Sequence, residues 1–416
     1  MKYVIIGNST AAVGGIEGIR RLDADTPIVV VSDEPYHVYS RPLISYYLGG
    51  KIPEEAMFCR GKSFYKENKV EPLLGVKAVS VDPANKAVNL EDGSSVTYSK
   101  LLIATGGKPL VPKIQGLEKE NVFNFLKLDD AKAISKIARK GSKAIVAGAG
   151  FSGLKAVEAL VWRGVDVTVI DIMDRIMPRV FDECASSIVE KKLRQMGVNV
   201  LLGAMVESIT GCGRAEAVSL KGGAELACDF IVLAIGIRCN FDLAAGAGIK
   251  TNRGIIVDER MRTNLKDIYA AGDAAEGYNF LEDRRCEIPT LPNAYKQGEI
   301  AGINMAGGQM TYSKAFPVNS LPIFEMPVAC AGITEEGNGV LARVLARPDD
   351  GVYKKFFIKE NRLVGYLLIN DIERAGIYTE LIRDGTDVSA FMDNLGRDGF
   401  GLASFPEEIR KKKMLA

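Results

Sequence analysis

The sequence predicts an α/β chain, with two parallel-sheet units built from βαβ segments followed by a smaller α+β unit. Three observations carry that expectation. A buried strand runs into a glycine turn and a helix over Tyr3–Ala12. The same succession recurs about 140 residues on, over Lys143–Gly153. Beyond about residue 320 the pattern changes to short strands separated by turn residues. At 416 residues the chain is also too long for one ordinary core.

In the first unit Tyr3-Val4-Ile5-Ile6 is an unbroken apolar strand, and Gly7-Asn8-Ser9-Thr10-Ala11-Ala12 turns into a helix ending near Arg20-Arg21. Ile28–Val31 is a second buried strand, closed by Ser32-Asp33-Glu34. This is Rossmann-like: G-x-S-x-x-A stands where a dinucleotide turn carries its glycines, and an acid ends the next strand. Glycine lets the backbone approach a pyrophosphate, and the helix N-terminus adds amides and partial positive charge. A carboxylate at the strand end can accept both ribose hydroxyls. The second unit has the full G-x-G-x-x-G, Gly148-Ala149-Gly150-Phe151-Ser152-Gly153, then a helix through Trp162 and a strand, Val167–Ile170, ending at Asp171. Two such turns imply two nucleotide cofactors.

Further strands break on small residues at Ala104-Thr105-Gly106-Gly107, Ala234-Ile235-Gly236 and Tyr269-Ala270-Ala271-Gly272-Asp273. Near the end, Val352–Ile358 and Leu363–Ile369 read as a hairpin around Glu360-Asn361, followed by a helix over Ala375–Arg383.

Composition excludes several classes. Lys+Arg 53 against Asp+Glu 52 gives +1, so no global field draws the chain to nucleic acid or an anionic membrane. No apolar run reaches the roughly 18 residues of a spanning helix. The first strand leaves no room for a leader, so the expectation is a soluble, cytoplasmic protein. One histidine, His37, leaves little material for metal clusters or histidine-based triads. The seven cysteines contain no Cys-x-x-Cys pair and are expected to be reduced and mostly buried. No metal site is expected, and the chemistry must come from a cofactor.

The order of these glycine stations resembles the FAD-dependent pyridine-nucleotide-disulfide oxidoreductase superfamily over essentially the whole chain. The resemblance implies a glutathione-reductase-like fold: a discontinuous FAD domain at 1–118 and 245–320, an NAD domain at 119–244, and a C-terminal interface or dimerisation domain at 321–416. It implies FAD and NAD(H) as cofactors, and a homodimer as one assembly.

Around FAD it implies Gly7, Ser9, Ala11 and Ala12 at the pyrophosphate turn and Glu34 on the ribose, with Asp33 the alternative. Arg41 and Pro42 resemble the Arg-Pro segment beside the phosphates and flavin edge. Ala104, Thr105, Gly106 and Gly272 form the neighbouring turns, and Asp273 takes a ribityl hydroxyl. Pro292 and Ala294 open a helix whose N-terminus faces the flavin pyrimidine and favours an anionic reduced flavin. Around NAD it implies Gly148, Gly150, Phe151, Ser152 and Gly153 at the turn, Asp171 on the ribose, and Gly236 opposite. A carboxylate at Asp171 would repel a 2′-phosphate, which favours NADH over NADPH; Arg175, four residues on, could bend back and oppose this.

Disulfide reductases of the superfamily need a cysteine pair beside the flavin. Coenzyme A-disulfide reductases and water-forming NADH oxidases need one cysteine there, and residues 35–50 contain none. What remains resembles the rubredoxin, ferredoxin and putidaredoxin reductases, which pass electrons between NADH and a one-electron carrier. Relatives often hold a Lys–Glu pair beside the flavin where this chain has Tyr46 and Lys155. These two become the candidate catalytic groups of the flavin and nicotinamide environment, with Tyr46 packed beside the Lys155 cation. The expected partner is an iron–sulfur or rubredoxin-type carrier. The alternative is an FAD/NAD(H) subunit of a larger iron–sulfur or metal oxidoreductase complex (aldehyde, 2-oxoacid or CO oxidising) working toward NAD reduction. A third reading is a non-enzymatic FAD-binding redox sensor.

Overall fold

The computed structural model describes residues 2–347 and 350–414. The first module opens with β1 (Tyr3–Ile6), α1 (Thr10–Arg20), β2 (Ile28–Ser32), α2 (Ile44–Leu48), β3 (Val70–Leu74), β4 (Lys100–Ile103) and β5 (Gly107–Pro109). The second holds β6 (Val122–Asn124), α3 (Leu128–Ile137), β7 (Lys143–Ala147), α4 (Phe151–Trp162), β8 (Asp166–Ile170), β9 (Asn199–Leu201), β10 (Phe230–Leu233) and β11 (Ile237–Cys239). The chain then returns to the first module with β12 (Ile268–Ala270) and α5 (Leu291–Met305).

Both sheets follow one plan. Their orders are β12-β4-β1-β2-β3 and β9-β8-β7-β10-β6, and every neighbouring pair is parallel. Helices on both faces explain why β1 and β2 are apolar and buried at every position rather than alternating. In each sheet the succession of strands reverses beside the strand that feeds the glycine turn, between β1 and β4 and between β7 and β10. A crevice opens there at the carboxyl ends, where nucleotides bind in such folds.

α1 packs unusually close to α5. A Cβ on Gly298 would lie 2.0 Å from the Ala11 carbonyl oxygen, so only glycine permits this approach. The glycines cost α1 helix propensity, and the packing of its buried face against α5 offsets it. β5 and β11, the two passages between modules, pair antiparallel. Ile114 and Leu117 already pack into the second module's core, and Phe241 and Leu243 pack on the first module's.

The C-terminal domain contains β13 (Val318–Ile323), β14 (Met326–Gly332), β15 (Leu341–Arg347), β16 (Val352–Lys359), β17 (Arg362–Ile369) and α6 (Ala375–Asp384). Its antiparallel sheet has the order β13-β14-β17-β16-β15. Sequence reading found β16, β17 and α6 but missed three strands. Pro322 and Pro327 argue against β13 and β14, and the Leu-Ala-Arg-Val-Leu-Ala-Arg of β15 has no period-2 alternation. Ile323, Phe324, Val328 and Leu367 join a core shared with α2 and the second module. Among the described residues no helix is long and apolar enough to cross a membrane.

Candidate functional site

A cleft of about 680 Å³ lies at the carboxyl ends of β1 and β4. Of the residues expected around FAD, its walls include Gly7, Ser9, Ala11, Glu34, Arg41, Ala104, Thr105, Gly106, Gly272, Asp273 and Ala294. Ala12, Pro42 and Pro292 do not line it, and neither do Tyr46 and Lys155, the groups expected in the flavin and nicotinamide environment. Ala12 is turned into the core beneath the turn, while the two prolines occupy the first turns of their helices. Gly7 has φ +116°, and a Cβ there would lie 2.1 Å from the Ala104 oxygen, so the turn requires glycine. Ser9 is extended, with φ −136°, a conformation open to any residue, which is why a side chain is tolerated in the middle position.

The strand-end acids are held from outside their own turn. The buried Glu34 carboxylate accepts from Tyr39 Oη at 2.6 Å and pairs with Arg41. Tyr39 Oη in turn accepts from the Leu128 amide at 3.0 Å, and Arg41 Nη1 donates to the Leu126 carbonyl at 3.2 Å. Asp33 pairs with Lys127 at 2.7 Å. Leu126 and Lys127, at the start of α3, line the cleft although they belong to the second module. Sequence reasoning missed them, and missed Asn240 and Asp242, which also line the cleft, because no local motif marks a wall supplied from elsewhere.

Asp273 lies on the opposite wall. Its carboxyl accepts no hydrogen bond from the described residues, and burial pushes its pKa up, with the Arg41 charge opposing. A ligand hydroxyl would satisfy it. Gln297 holds the turn beside it, its Oε1 accepting from the Gly272 amide at 2.9 Å. Glycine turn, guanidinium and unsatisfied carboxyl together fit a dinucleotide carrying a polyol.

The second turn repeats the first with full glycines. A Cβ on Gly148 would lie 2.3 Å from the Ala234 oxygen, and one on Gly153 would lie 1.9 Å from the Gly148 oxygen. One on Gly150 would meet nothing within 4 Å, leaving the middle position open to an approaching pyrophosphate. Phe151 and Ser152 form the first turn of α4, and Gly236, past the end of β10, has φ +115°. Asp171 Oδ2 accepts from the Ala149 amide at 2.6 Å and Oδ1 from Met173 at 2.9 Å. Arg175 does not bend back: it pairs with Asp174 and points Nε toward the Phe181 carbonyl.

Tyr46 and Lys155 meet where α2, α4 and the C-terminal sheet converge. The Lys155 ammonium sits 4.7 Å from the Tyr46 ring centroid and 5.7 Å from that of Trp162. It also pairs with Glu158, one helical turn on, which sequence reasoning missed. An acid at i+3 from a lysine was the available signal.

All seven cysteines are free, four of them buried, and none lines the cleft. Burial raises the thiol pKa of Cys228 and Cys239 to about 11 and of Cys330 to about 12. Among the described residues no group of histidine, cysteine and acidic side chains could hold a metal.

The profile of the pyridine nucleotide-disulphide oxidoreductases matches residues 1–298, and that of the rubredoxin NAD+ reductase C-terminal domain matches 317–386. The chain belongs to the pyridine nucleotide-disulphide oxidoreductase family, and it is an oxidoreductase using FAD and NAD(H). It is 32% identical to the epsilon subunit of NADH-dependent phenylglyoxylate dehydrogenase from Aromatoleum evansii, covering 93% of each chain. It is 30% identical to rubredoxin-NAD(+) reductase from Pseudomonas putida, over 90% of this chain and 97% of that one. It spans 48% of the length of two further relatives. Among solved structures, the NAD-dependent persulfide reductase from A. fulgidus superposes with a TM-score of 0.89 at 29% identity, over 100% of this chain and 83% of that one.

Proposed function

We propose that the chain passes electrons between NAD(H) and a separate one-electron carrier of iron–sulfur or rubredoxin type, in the cytoplasm and without a thiol intermediate. The observation that carries this reading is the absence of any cysteine from the cleft walls and from the Arg41–Leu48 segment. FAD, when bound, supplies the exchange between two-electron and one-electron steps. The chain's own residues do the rest. Gly7 and the α1 N-terminus receive the pyrophosphate, Arg41 neutralises it, Glu34 or Asp33 takes the adenosine ribose, and Asp273 takes a ribityl hydroxyl. The α5 N-terminus places partial positive charge beside the pyrimidine. Gly148, Gly150, Gly153 and Asp171 bind NAD(H), and with Arg175 paired elsewhere the site favours NADH. Tyr46 and Lys155 flank the reacting rings.

A relative named as a subunit, matched over nearly its whole length, favours a second reading: the NAD-linked subunit of a larger complex oxidising a 2-oxo acid. Mixing purified, FAD-loaded protein with NADH and then with rubredoxin or ferredoxin tests the first. Bleaching by NADH followed by rapid carrier reduction is expected. Bleaching without carrier reduction, with large subunits captured from native extract, replaces it by the second. Protein that NADH fails to bleach sinks both.

A further inference from the structure

Lys155–Glu158 is the ion pair with the least combined exposure among the described residues, with side chains 12% and 1% exposed. Its surroundings come from three parts of the molecule. Tyr46, from α2, offers its ring face to the ammonium. Trp162, from α4, offers a second face and lies 5.4 Å from Tyr46 between centroids. The end of β13 offers the Pro322 carbonyl, which accepts from Lys155 Nζ at 3.3 Å. Glu158 reaches the β13–β14 turn that follows, its Oε1 accepting from the Phe324 amide at 2.8 Å. Phe324 and Glu325 both have left-handed backbones, with φ +47° and +65°, an uncommon state for a bulky residue that must be held by its surroundings.

A neutral glutamine could also accept from the Phe324 amide, through a weaker bond. Burying a carboxylate is costlier than burying an amide unless a cation is paired with it. The charge of Glu158 is therefore explained by Lys155, not by the turn.

We propose that Glu158 is a positioning residue, whose carboxylate fixes the Lys155 ammonium over Tyr46 and ties it to the C-terminal turn, so that a held pair and not a free cation lies beside the reacting rings. This rests on the reading above that Lys155 and Tyr46 flank those rings. An unbalanced cation there would stabilise the electron-rich reduced cofactor, and an unbalanced anion would do the reverse.

The test compares FAD-loaded wild type, Glu158→Gln, Lys155→Met and the double variant by thermal midpoint and by the midpoint potential of the bound flavin. Glu158→Gln is expected to melt earlier and to shift the potential positive. Lys155→Met should shift it negative, and the double variant should return toward wild type in both measurements. Coupled melting with no shift in potential in any variant would make the pair a strut between domains and overturn the proposal, while leaving electron transfer from NADH untouched. Independent, additive effects on melting would overturn it as well. Should Glu158→Gln not fold, the double variant still decides against Lys155→Met, because equal potentials in those two would refute the positioning role. Failure of NADH to bleach the wild type would sink the functional reading, yet the melting cycle would still report on the pair.

Discussion

The two nucleotide turns differ less in backbone than in what encloses them. Gly7 and Gly148 share a left-handed φ, and each donates its amide to the end of the neighbouring strand, Val31 or Ile170, at 2.8 Å. The first turn sits in a cleft walled by both modules, with its acids clamped by Tyr39, Arg41 and Lys127. The second keeps its acid on its own turn, through the Ala149 amide, and its rim is open: Ile172 is 67% exposed and Met173 44%. An enclosed site suits a cofactor that stays, and an open one suits a cofactor that exchanges every turnover. One fold thus yields an enclosed site and an open one by changing the walls.

Breaking one turn at a time gives the largest effect. Gly7→Ala places a Cβ against the Ala104 oxygen and forbids the backbone its φ, so we expect little FAD-loaded protein, seen as a collapse of flavin absorbance per chain. Gly153→Ala drives a Cβ into the Gly148 oxygen, and here the protein should remain yellow while reduction by NADH falls by about a hundredfold or more. Equal loss of flavin from both variants would abolish the distinction between the two sites.

Asp273→Ala comes next. It removes a charge-assisted hydrogen bond worth roughly 1.5–3 kcal/mol. FAD should dissociate roughly tenfold to a hundredfold more readily, measured by fluorescence of released flavin. An unchanged dissociation constant would move the ribityl contact elsewhere.

Asp171→Ala should act on the open site alone. The Michaelis constant for NADH should rise about tenfold with a smaller change in turnover, because binding common to ground and transition states is lost. The advantage of NADH over NADPH should narrow, since the repelling carboxylate is gone. Wild type that prefers NADPH would overturn the assignment.

What the sequence disclosed follows the same division. Both turns, their strands and α1, α4 and α5 were legible because glycine motifs and apolar runs are local signals. The C-terminal strands β13 and β14 were hidden by their prolines, and β15 by a pattern lacking period-2 alternation. At the site, Gly7, Arg41 and Asp273 could be named from motif position. Lys127 could not, since it reaches the cleft across a module boundary, and Glu158 left only its i+3 spacing from Lys155 as a signal, its bond to the Phe324 amide of a distant turn being invisible in the sequence. Local pattern reveals what a segment does for itself, and tertiary packing decides what it does for another.

The smallest expected effect is none at all, and it separates this chain from thiol-using relatives of its fold. Cys184 and Cys212 are exposed and should alkylate readily; Cys59 is half-buried, and the other four are buried. Burial raises the pKa of Cys228, Cys239, Cys286 and Cys330, so near neutral pH they stay protonated and poorly nucleophilic. Treating the native protein with iodoacetamide should therefore modify the exposed thiols and leave NADH-to-dye transfer within about twofold of untreated enzyme. Burial and the neighbouring Asp182 charge raise the Cys184 thiol pKa, so raising the pH should speed its labelling with no parallel loss of activity. Loss of activity in step with the labelling of one cysteine would contradict the thiol-free route. Cys239 would be the residue to replace first, because it precedes Asn240 of the cleft wall and feels the Asp273 charge. If Cys239→Ser then kept full activity and lost its sensitivity, the thiol would be a bystander whose bulky adduct blocks the cleft, and the route without it would stand.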